Sequence, residues 1–465
     1  MNQSYSELEA QKEKVTNGSP KLKIIAPCKL GKGILKLSKS ESEYFEVLFQ
    51  EIQSSFCFFI PASGSGSRML DFLQIELEEN DKGKRTKTNA FVSQIREFSF
   101  YKILNKTQKE KLHDLIGSTE FVNFLLKNEN GGVGLQTYPK ALVPFHSYLN
   151  EERSAFIEHL IQGVNLTRQG VNFHFTIQQI HEAPFNKTLN EFRIQNELLR
   201  DVHFSFQHAD TDAFVFDHEM NMLQSNGVPL RRPSGHGALL DNLNAINNQY
   251  VLVKNIDNVQ HENKAGDGIK VWKVLCGILH KVKKELKTIT EKNDFTVLSL
   301  FNERYGLFSD QELNLAKSVE GLNALVNRPL RICGMVLNDG KAGGGPFFVE
   351  LDGVVSKQIV EGVQVTGERQ ESVFKSSTHF NPVMMAIDTF DMSGNKYDLK
   401  DFSNAEQYFV VEKNYNGQKI KFMERPGLWN GSMFHWNTLF IEVPSASFTP
   451  VKTILDLLKP PHLSD

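Results

Sequence analysis

The sequence is poor in cysteine, carries no excess of basic charge and contains no long apolar run. Its cysteines, Cys28, Cys57, Cys276 and Cys333, form no Cys-x-x-Cys pair, which argues against a disulfide framework or a zinc ribbon. The 52 basic residues are balanced by 55 acidic ones, whereas nucleic-acid-binding proteins usually carry a basic excess. No apolar run approaches the roughly 20 residues that span a bilayer. We therefore predict neither nucleic acid nor a membrane as a partner.

The N-terminal segment is polar throughout. Its first residues, MNQSYSELEAQKEK, lack the apolar stretch of a signal peptide, so we expect a cytoplasmic protein. Residues 1–38 are rich in Lys, Glu, Ser and Asn, a composition typical of a flexible arm. Ser40 and Glu43 have the spacing of a capping box, which predicts that a helix begins near Ser40. We expect residues 39–465 to form one domain.

Short apolar runs alternate with segments of helical periodicity over most of this domain. The run SFCFFIP at 55–61 is continuous, as is typical of a strand buried on both faces. Strands are also predicted over 171–177 and 250–255, and helices over 151–162, 189–200 and 269–286. Such alternation indicates βαβ units. We predict an α/β fold with a Rossmann-like mixed, mostly parallel sheet.

Two regions depart from this alternation. Residues 70–137 contain a charged stretch and then several segments with helical periodicity, which predicts a helical insertion. Residues 340–465 are richer in turn signals, beginning with the glycine-rich loop at 340–346. We expect an antiparallel sub-region in this C-terminal part.

A loop of small residues follows the first predicted strand. It reads Ser63-Gly64-Ser65-Gly66 and continues into Ser67-Arg68-Met69. Small residues let backbone N–H groups approach a phosphate, and a following helix adds a favourable dipole. An arginine at the end of the loop suits bidentate phosphate binding. The loop is neither a P-loop nor a Rossmann fingerprint, and a purely structural turn is the alternative.

This loop resembles the nucleotide-binding loop of sugar-nucleotide pyrophosphorylases, Gly-x-Gly-Thr-Arg-Met, with Ser67 at the threonine position. In that family a Pro-Lys pair follows after a short interval. Here the pair is Pro139-Lys140, far along the chain. The resemblance therefore requires residues 70–137 to be an insertion that returns Lys140 to the site.

Later segments match UDP-sugar pyrophosphorylases in the same chain order. In isolation each is as well explained by a turn, a helix cap or a core position. The order is less easily obtained by chance, and the whole chain also resembles an uncharacterised bacterial family, a domain of unknown function. The segments are Pro233-Ser234-Gly235-His236-Gly237, Asn255-Ile256-Asp257-Asn258, Thr378–Pro382, Trp429–Asn437 and Phe448–Leu458.

The resemblance implies a nucleotide-diphospho-sugar transferase fold and a Mg²⁺-dependent nucleotidyltransferase that joins a sugar 1-phosphate to a nucleoside triphosphate, UTP being favoured, with release of pyrophosphate. It implies phosphate-binding roles for Arg68, Lys140 and Lys452, and a Mg²⁺ ligand at Asp257. The implied nucleotide contacts are Ser63, Gly64, Ser65, Gly66, Gly235, His236 and Gly237. The implied sugar contacts, on the C-terminal side, are Asn381, Asn430 and Asn437.

Two other functions stay open at this point. A glycosyltransferase using a nucleotide-sugar donor would need an Asp-x-Asp metal motif, for which Asp210 and Asp212 are the convenient candidates. We interpret this pair instead as a turn or a ribose contact. A protein that binds a nucleotide or sugar phosphate without turnover is the second alternative, favoured by the displaced Lys140.

Overall fold

A computed structural model describes residues 2–78, 85–168, 170–192, 199–338, 340 and 343–464. Strands and helices alternate along most of this length, as expected for an α/β protein. The strands are β1 Lys23–Pro27, β2 Lys29–Leu30, β3 Gly33–Leu35, β4 Phe56–Pro61, β5 Pro144–Ser147, β6 Glu152–Ser154, β7 Val171–Ile177, β8 Leu199–Phe206, β9 Ala213–Phe216, β10 Gln224–Ser225, β11 Val228–Pro229, β12 Arg231–Arg232, β13 Tyr250–Lys254, β14 Leu330–Leu337, β15 Gly345–Leu351, β16 Val354–Val360, β17 His379–Phe380, β18 Met384–Asp388, β19 Phe409–Tyr415, β20 Gln418–Glu424 and β21 Asn437–Glu442.

The helices range from single turns to a long helix, α11. They are α1 Asn2–Asn17, α2 Lys39–Phe49, α3 Asp71–Glu78, α4 Thr86–Ser93, α5 Ser99–Lys102, α6 Lys106–Asp114, α7 Thr119–Leu126, α8 Ala155–Leu166, α9 Glu182–Glu191, α10 Leu240–Asn244, α11 Gly266–Lys292, α12 Phe295–Tyr305, α13 Asp310–Leu315, α14 Val319–Val326 and α15 Glu368–Lys375. None of the helices in the described residues is long and apolar enough to cross a membrane.

The chain forms two compact units, each assembled from separate stretches of sequence. Unit 1 comprises Met1–Ser54, Phe206–Leu252 and Lys273–Pro444. Unit 2 comprises Ser55–Ser205, Val253–Trp272 and Ser445–Asp465. The C-terminal segment therefore belongs to the same unit as β4 and the small-residue loop, although most of the chain separates them.

Unit 1 contains a mixed sheet in which β2, β3, β21 and β14 are neighbours in that order and run parallel. Strand β18 pairs with β14 in the antiparallel sense. Residues of β14 and β18 are almost all buried, and apart from Arg331 and Asp388 they are apolar or glycine, as expected of strands covered on both faces. Antiparallel sheets β1-β15-β16 and β12-β9-β20-β19 complete the unit and correspond to the predicted antiparallel sub-region.

Unit 2 is built on a parallel pair, β4 and β7, with β8 next to β7. The side chains of β4 are buried as far as Ile60, and Phe58 stacks on Phe173 of β7. Helix α8 packs Phe156 against Phe175 of the same strand. Helices α3 to α7 occupy the predicted insertion. Their apolar centre is a group of phenylalanines: Phe91, Phe98, Phe100 and Phe121.

Three local predictions require correction. Residues 1–38 are not a loose arm, because α1 lies here and β1 pairs with β15 through buried residues such as Ile24. Helix α2 begins at Lys39, close to the predicted start, but its capping box is formed by Ser38 and Glu41, two residues before the predicted pair Ser40 and Glu43. The helix predicted over 189–200 is wrong at its end, where β8 begins at Leu199. Its middle, 193–198, lies outside the described residues, as do 341–342 of the glycine-rich loop.

Candidate functional site

The small-residue loop leaves the buried end of β4 in unit 2 and is tied to its surroundings on both sides. The Ala62 N–H donates to the carbonyl of Thr176 at 2.8 Å. The side-chain amide of Gln178 donates to the Ser63 carbonyl at 2.6 Å. Residues Ser67–Met69 then form a single 3₁₀ turn that carries Arg68. The loop is thereby fixed at the carboxyl end of a parallel strand, where ligands of α/β sheets bind.

The insertion returns to this loop as the sequence comparison requires. The Lys140 N–H donates to the Gly64 carbonyl at 3.0 Å, and the Gly66 N–H donates to the Tyr138 carbonyl at 3.2 Å. Ser65 and Pro139 form a β-bridge between these hydrogen bonds. A Cβ at Gly66 would lie 3.0 Å from the Tyr138 carbonyl oxygen, so the close approach favours glycine. Backbone pairing therefore positions Lys140 beside the loop.

Asp257 follows β13 and binds two lysine side chains through one oxygen. Its Oδ2 atom lies 3.1 Å from Lys140 Nζ and 2.9 Å from Lys452 Nζ. Its Oδ1 atom is buried and has no hydrogen-bond partner within the described residues. The Lys140 side chain is mostly buried, whereas the Lys452 side chain is 64% exposed. One carboxylate thus neutralises part of a cluster of positive charge.

Burial and the ion pairs shift the pKa values of Asp257 and Lys140 in opposite directions. Burial alone would raise the pKa of Asp257, but Lys140 and Lys452 outweigh it and hold the pKa below its ordinary value. Burial lowers the pKa of Lys140, and Asp257 offsets this only in part. Each partner therefore stabilises the ionised form of the other.

The C-terminal segment that carries Lys452 is anchored to the residues around Asp257. The Val451 N–H donates to the Asp257 carbonyl at 3.0 Å. The Thr449 N–H donates to the side-chain oxygen of Asn258, also at 3.0 Å. The carboxylate of Asp456 accepts the Lys452 N–H at 2.8 Å and caps the next turn. These bonds fix the backbone of Lys452 while its side chain reaches Asp257.

Two side chains of α8 hold the chain on either side of Asp257, and this role was not predicted from the sequence. His159 is buried and its Nε2–H donates to the Ile256 carbonyl at 3.0 Å. Gln162 accepts a hydrogen bond from Lys254 at 2.9 Å and donates one to the Gln260 carbonyl at 2.9 Å. Both residues sit at ordinary positions of an amphipathic helix, so the sequence carried no signal of this role.

The small-residue loop, Lys140, Asp257 and Lys452 line a cavity of about 380 Å³ within unit 2. Its charged side chains are Arg68, Lys140, Asp257 and Lys452, and its small residues come from the loop. A pocket of this size is large enough for a small phosphorylated ligand. The predicted phosphate-binding residues, the Mg²⁺ candidate Asp257 and the loop residues Ser63, Gly64 and Ser65 are all brought together here. Gly66 of the same loop does not line the cavity and packs against the Tyr138 carbonyl.

The Gly-His-Gly segment lies in unit 1 and is integrated into a different set of contacts. His236 stacks on Trp429 with ring centroids 4.1 Å apart. Its Nδ1 atom accepts the Leu428 N–H at 2.9 Å, so the ring proton lies on Nε2, 3.5 Å from Glu361. Added Cβ atoms at Gly235 and Gly237 would clash with Glu424 and with the Pro426 carbonyl. The positive φ of Gly235, 75°, and the close approach of the Pro426 backbone to Gly237 are sufficient to favour both glycines, and their nucleotide-binding role stays a prediction.

The three predicted sugar contacts are also in unit 1, and all are buried. The Asn437 amide donates to the carbonyls of Leu325 and Val326. The Asn430 amide donates to the Ile359 carbonyl at 2.8 Å. These amide donors are committed to backbone carbonyls, and the sugar-binding roles of Asn430 and Asn437 stay predictions. Asn381 differs, since its N–H donates to Gly344, which lines a cavity of about 610 Å³ in unit 1.

The Asp210–Asp212 pair lies in a turn, as interpreted from the sequence. A 3₁₀ turn covers Ala209–Thr211, and the Asp212 carboxylate accepts a hydrogen bond from Gln207 at 3.0 Å. Burial raises the pKa of Asp212. The described residues contain no group of three or more His, Cys, Asp or Glu side chains arranged to hold a metal ion.

The fold is that of a sugar-nucleotide pyrophosphorylase. The similarity to the uridine diphosphate N-acetylglucosamine pyrophosphorylase from Trypanosoma brucei covers 98% of this chain and 74% of that protein's chain, at 13% identity and a TM-score of 0.51. A provisionally assigned UDP-N-acetylglucosamine pyrophosphorylase from Entamoeba histolytica covers 90% of this chain and 80% of its own, at 13% identity and a TM-score of 0.43. A UDP-glucose phosphorylase from Trypanosoma brucei covers 69% and 61%, at 14% identity and a TM-score of 0.40. The first of these carries the fold assignment.

The chain itself belongs to the family described as domain of unknown function DUF4301, whose model matches residues 1–463. No curated protein matches the sequence significantly. At this level of identity the solved structures establish the fold and leave the reaction to be argued from the site.

Proposed function

We propose that the protein is a nucleotidyltransferase that joins a sugar 1-phosphate to a nucleoside triphosphate, with UTP as the favoured nucleotide. The observation that carries this proposal is the meeting of Arg68, Lys140, Lys452 and Asp257 at the small-residue loop of unit 2. These groups come from distant parts of the sequence and line one cavity. Their charges suit a ligand with several phosphate groups.

The reaction needs no protein nucleophile. A phosphate oxygen of the sugar 1-phosphate attacks the α-phosphorus, the bond to the β-phosphate oxygen breaks, and pyrophosphate leaves. Catalysis then consists of alignment and of stabilising negative charge on crowded oxygens. Lys140 and Lys452 would bind these oxygens with their ammonium groups, and Arg68 would bind them bidentately. Backbone N–H groups of the loop would add neutral donors.

Asp257 fits a Mg²⁺ ligand in one specific respect. Its Oδ1 atom is buried and lacks a hydrogen-bond partner within the described residues, so one hard oxygen donor is uncommitted. Sites for Mg²⁺ commonly use one or two carboxylates together with substrate phosphates and water, and a single protein carboxylate is therefore sufficient. The ion would supply neutralisation of phosphate charge.

A pyrophosphate-release screen tests the proposal. The purified protein is incubated with Mg²⁺, each of the four nucleoside triphosphates and a panel of sugar 1-phosphates. We expect release with at least one pair, and loss of release in Lys140→Met. The matched control is Lys187→Met, which removes a surface lysine of unit 2 that is 75% exposed.

The alternatives give different products in the same experiment. Transfer of a sugar from a nucleotide sugar to an acceptor, without pyrophosphate release, would indicate a glycosyltransferase. Thermal stabilisation by a nucleotide with no release across the panel would indicate a binding protein without turnover, and would contradict the proposal.

A further inference from the structure

A second cavity, of about 400 Å³, lies in unit 1 and shares no residue with the cavity of unit 2. Helix α1 contributes one part of its lining, and the residues around the end of β20 contribute another. Leu240, Met423 and Pro426 give it a partly buried apolar lining. A cavity of this size and composition suits a small organic molecule with an apolar body.

The charged side chains of this cavity are neutralised by ion pairs, except for Arg425. Within the part of the chain that the structure describes, no carboxylate forms an ion pair with Arg425. The cavity therefore carries one unbalanced positive charge. The ion pairs of the other charged side chains are Lys400–Asp241 at 2.7 Å, Lys14–Glu406 at 3.0 Å and Glu7–Arg231 at 3.8 Å.

The Arg425 guanidinium is positioned by two backbone carbonyls. Its Nε–H donates to the Thr211 carbonyl at 3.3 Å, and its Nη2 donates to the Asp210 carbonyl at 3.4 Å. Both hydrogen bonds are long, and Nη1 has no partner among the described residues. Asp241 raises the pKa of Lys400, and the positive charge of Arg425 opposes this shift. Two cations thus act on the region of a single carboxylate.

We propose that this cavity binds a small organic monocarboxylate, whose carboxylate pairs with Arg425 and whose apolar body packs against Leu240, Met423 and Pro426. One negative charge balances the unpaired guanidinium, whereas a phosphate dianion would place excess negative charge near Asp241. The planar guanidinium also matches the two oxygens of a carboxylate. Binding at this site does not depend on the reaction proposed for unit 2.

Benzoate and benzamide test the proposal, because they have nearly the same shape and differ in charge. Their binding to the full-length protein is measured by ligand-observed NMR titration. We expect saturable binding of benzoate, and binding of benzamide at least about tenfold weaker. Phenyl phosphate should displace benzoate only at a concentration at least about tenfold higher than unlabelled benzoate requires.

Variants locate the binding. Arg425→Met should weaken benzoate binding at least about tenfold. Its matched control is Arg369→Met, which removes an exposed arginine of α15 outside the cavity and should bind benzoate as the wild type does. Lys140→Met should also bind benzoate normally, because Lys140 lines the cavity of unit 2.

The proposal would be overturned by the absence of saturable benzoate binding, by equal affinities for benzoate and benzamide, or by unchanged benzoate binding in Arg425→Met. Displacement by phenyl phosphate at equal or lower concentration would contradict the choice of a monoanion. If Arg425→Met does not fold, Ala405→Phe serves in its place, because it adds bulk from an exposed position of the lining. Benzoate binding retained by that variant would place the ligand elsewhere.

Discussion

The Lys140 ammonium group lies 3.1 Å from the carboxylate of Asp257, although the two residues are 117 positions apart. The contact depends on the backbone pairing that returns the helical segment to the small-residue loop. Because Lys140 is mostly buried there, its charge acts in a region of reduced dielectric, where its effect on a bound phosphate is strengthened.

Removal of the Lys140 ammonium group should therefore lower the rate of the proposed reaction. We expect Lys140→Met to lower pyrophosphate release by roughly 100-fold or more, since preorganised charge contributes several kcal/mol in such sites. Initial rates at saturating substrates measure the effect, with Lys187→Met as control. Equal rates for the two variants would remove Lys140 from the site.

Gly66 and Gly64 of the small-residue loop should differ in their effects, Gly66 acting on stability and Gly64 on ligand binding. A Cβ at Gly66 would lie 3.0 Å from the Tyr138 carbonyl oxygen and 3.2 Å from Val143, whereas a Cβ at Gly64 would meet nothing within 4 Å. We expect Gly66→Ala to lower the free energy of unfolding by about 1 kcal/mol through overpacking.

Gly64→Ala is the matched comparison, because Gly64 lines the cavity. We expect it to leave stability unchanged and to weaken pyrophosphate binding, since the methyl group enters the space of the ligand. Thermal unfolding and calorimetry measure the two quantities. A stable Gly64→Ala protein with unaltered binding would show that the loop does not approach the ligand.

A buried polar network in unit 2 predicts a pH dependence of stability. Glu158 Oε1 lies 2.9 Å from His146 Nδ1 and 2.6 Å from the Tyr148 hydroxyl. His146 Nε2 lies 3.0 Å from His462 Nδ1. Burial raises the pKa of Glu158 to about 7, and burial lowers the pKa of each of these histidines to about 3. His261 and Arg153 also act on the network.

In the native state Glu158 keeps its proton up to about pH 7, whereas the unfolded chain releases it near the ordinary value of 4.5. Between these values the native state binds more protons, so this group's contribution to the free energy of unfolding falls as pH rises. Glu158→Gln removes the ionisation. We expect the free energy of unfolding of the variant to rise relative to that of the wild type by about 1–3 kcal/mol between about pH 4.5 and 7.

The contribution of His146 and His462 to the free energy of unfolding changes with pH in the opposite direction. Both histidines are present in the wild type and in Glu158→Gln. Their stabilising contribution holds above the ordinary histidine pKa of 6.5 and is lost as pH falls towards about 3. Urea denaturation at a series of pH values measures the difference, with the surface variant Glu129→Gln as reference. A difference between Glu158→Gln and wild type that stays constant with pH would contradict this assignment.

Asn437 should prove structural. Its amide donates to two backbone carbonyls in the interior of unit 1, and leaving them without a donor costs about 1–3 kcal/mol. We expect Asn437→Ala to lose this much stability while the folded variant keeps its affinity for sugar 1-phosphate. Asn414→Ala, at an exposed position of β19, should stay within about 0.5 kcal/mol of wild type. Weaker sugar binding by folded Asn437→Ala would instead support a sugar contact at this residue.

Much of the fold followed from local patterns in the sequence. The apolar run at β4, the alternation of strands with helices and the turn-rich C-terminal part predicted an α/β protein with a mixed sheet, because burial on one or both faces imposes a readable period. The same reasoning failed for residues 1–38. Their polar composition concealed β1, in which Ile24 is buried and pairs with Val349 of the distant strand β15.

The residues of the candidate site were predictable by type, but their arrangement was not. Arg68, Lys140, Asp257 and Lys452 follow from matched motifs, since motif and charge are properties of the sequence alone. Only the tertiary structure decided that Asp257 binds both lysines, that the C-terminal segment shares unit 2 with the loop and that Asn437 is committed to the backbone. These contacts join residues 117, 195 and 112 positions apart. Residues so far apart in the sequence meet only when the tertiary fold brings them together, so local patterns carry no information about them.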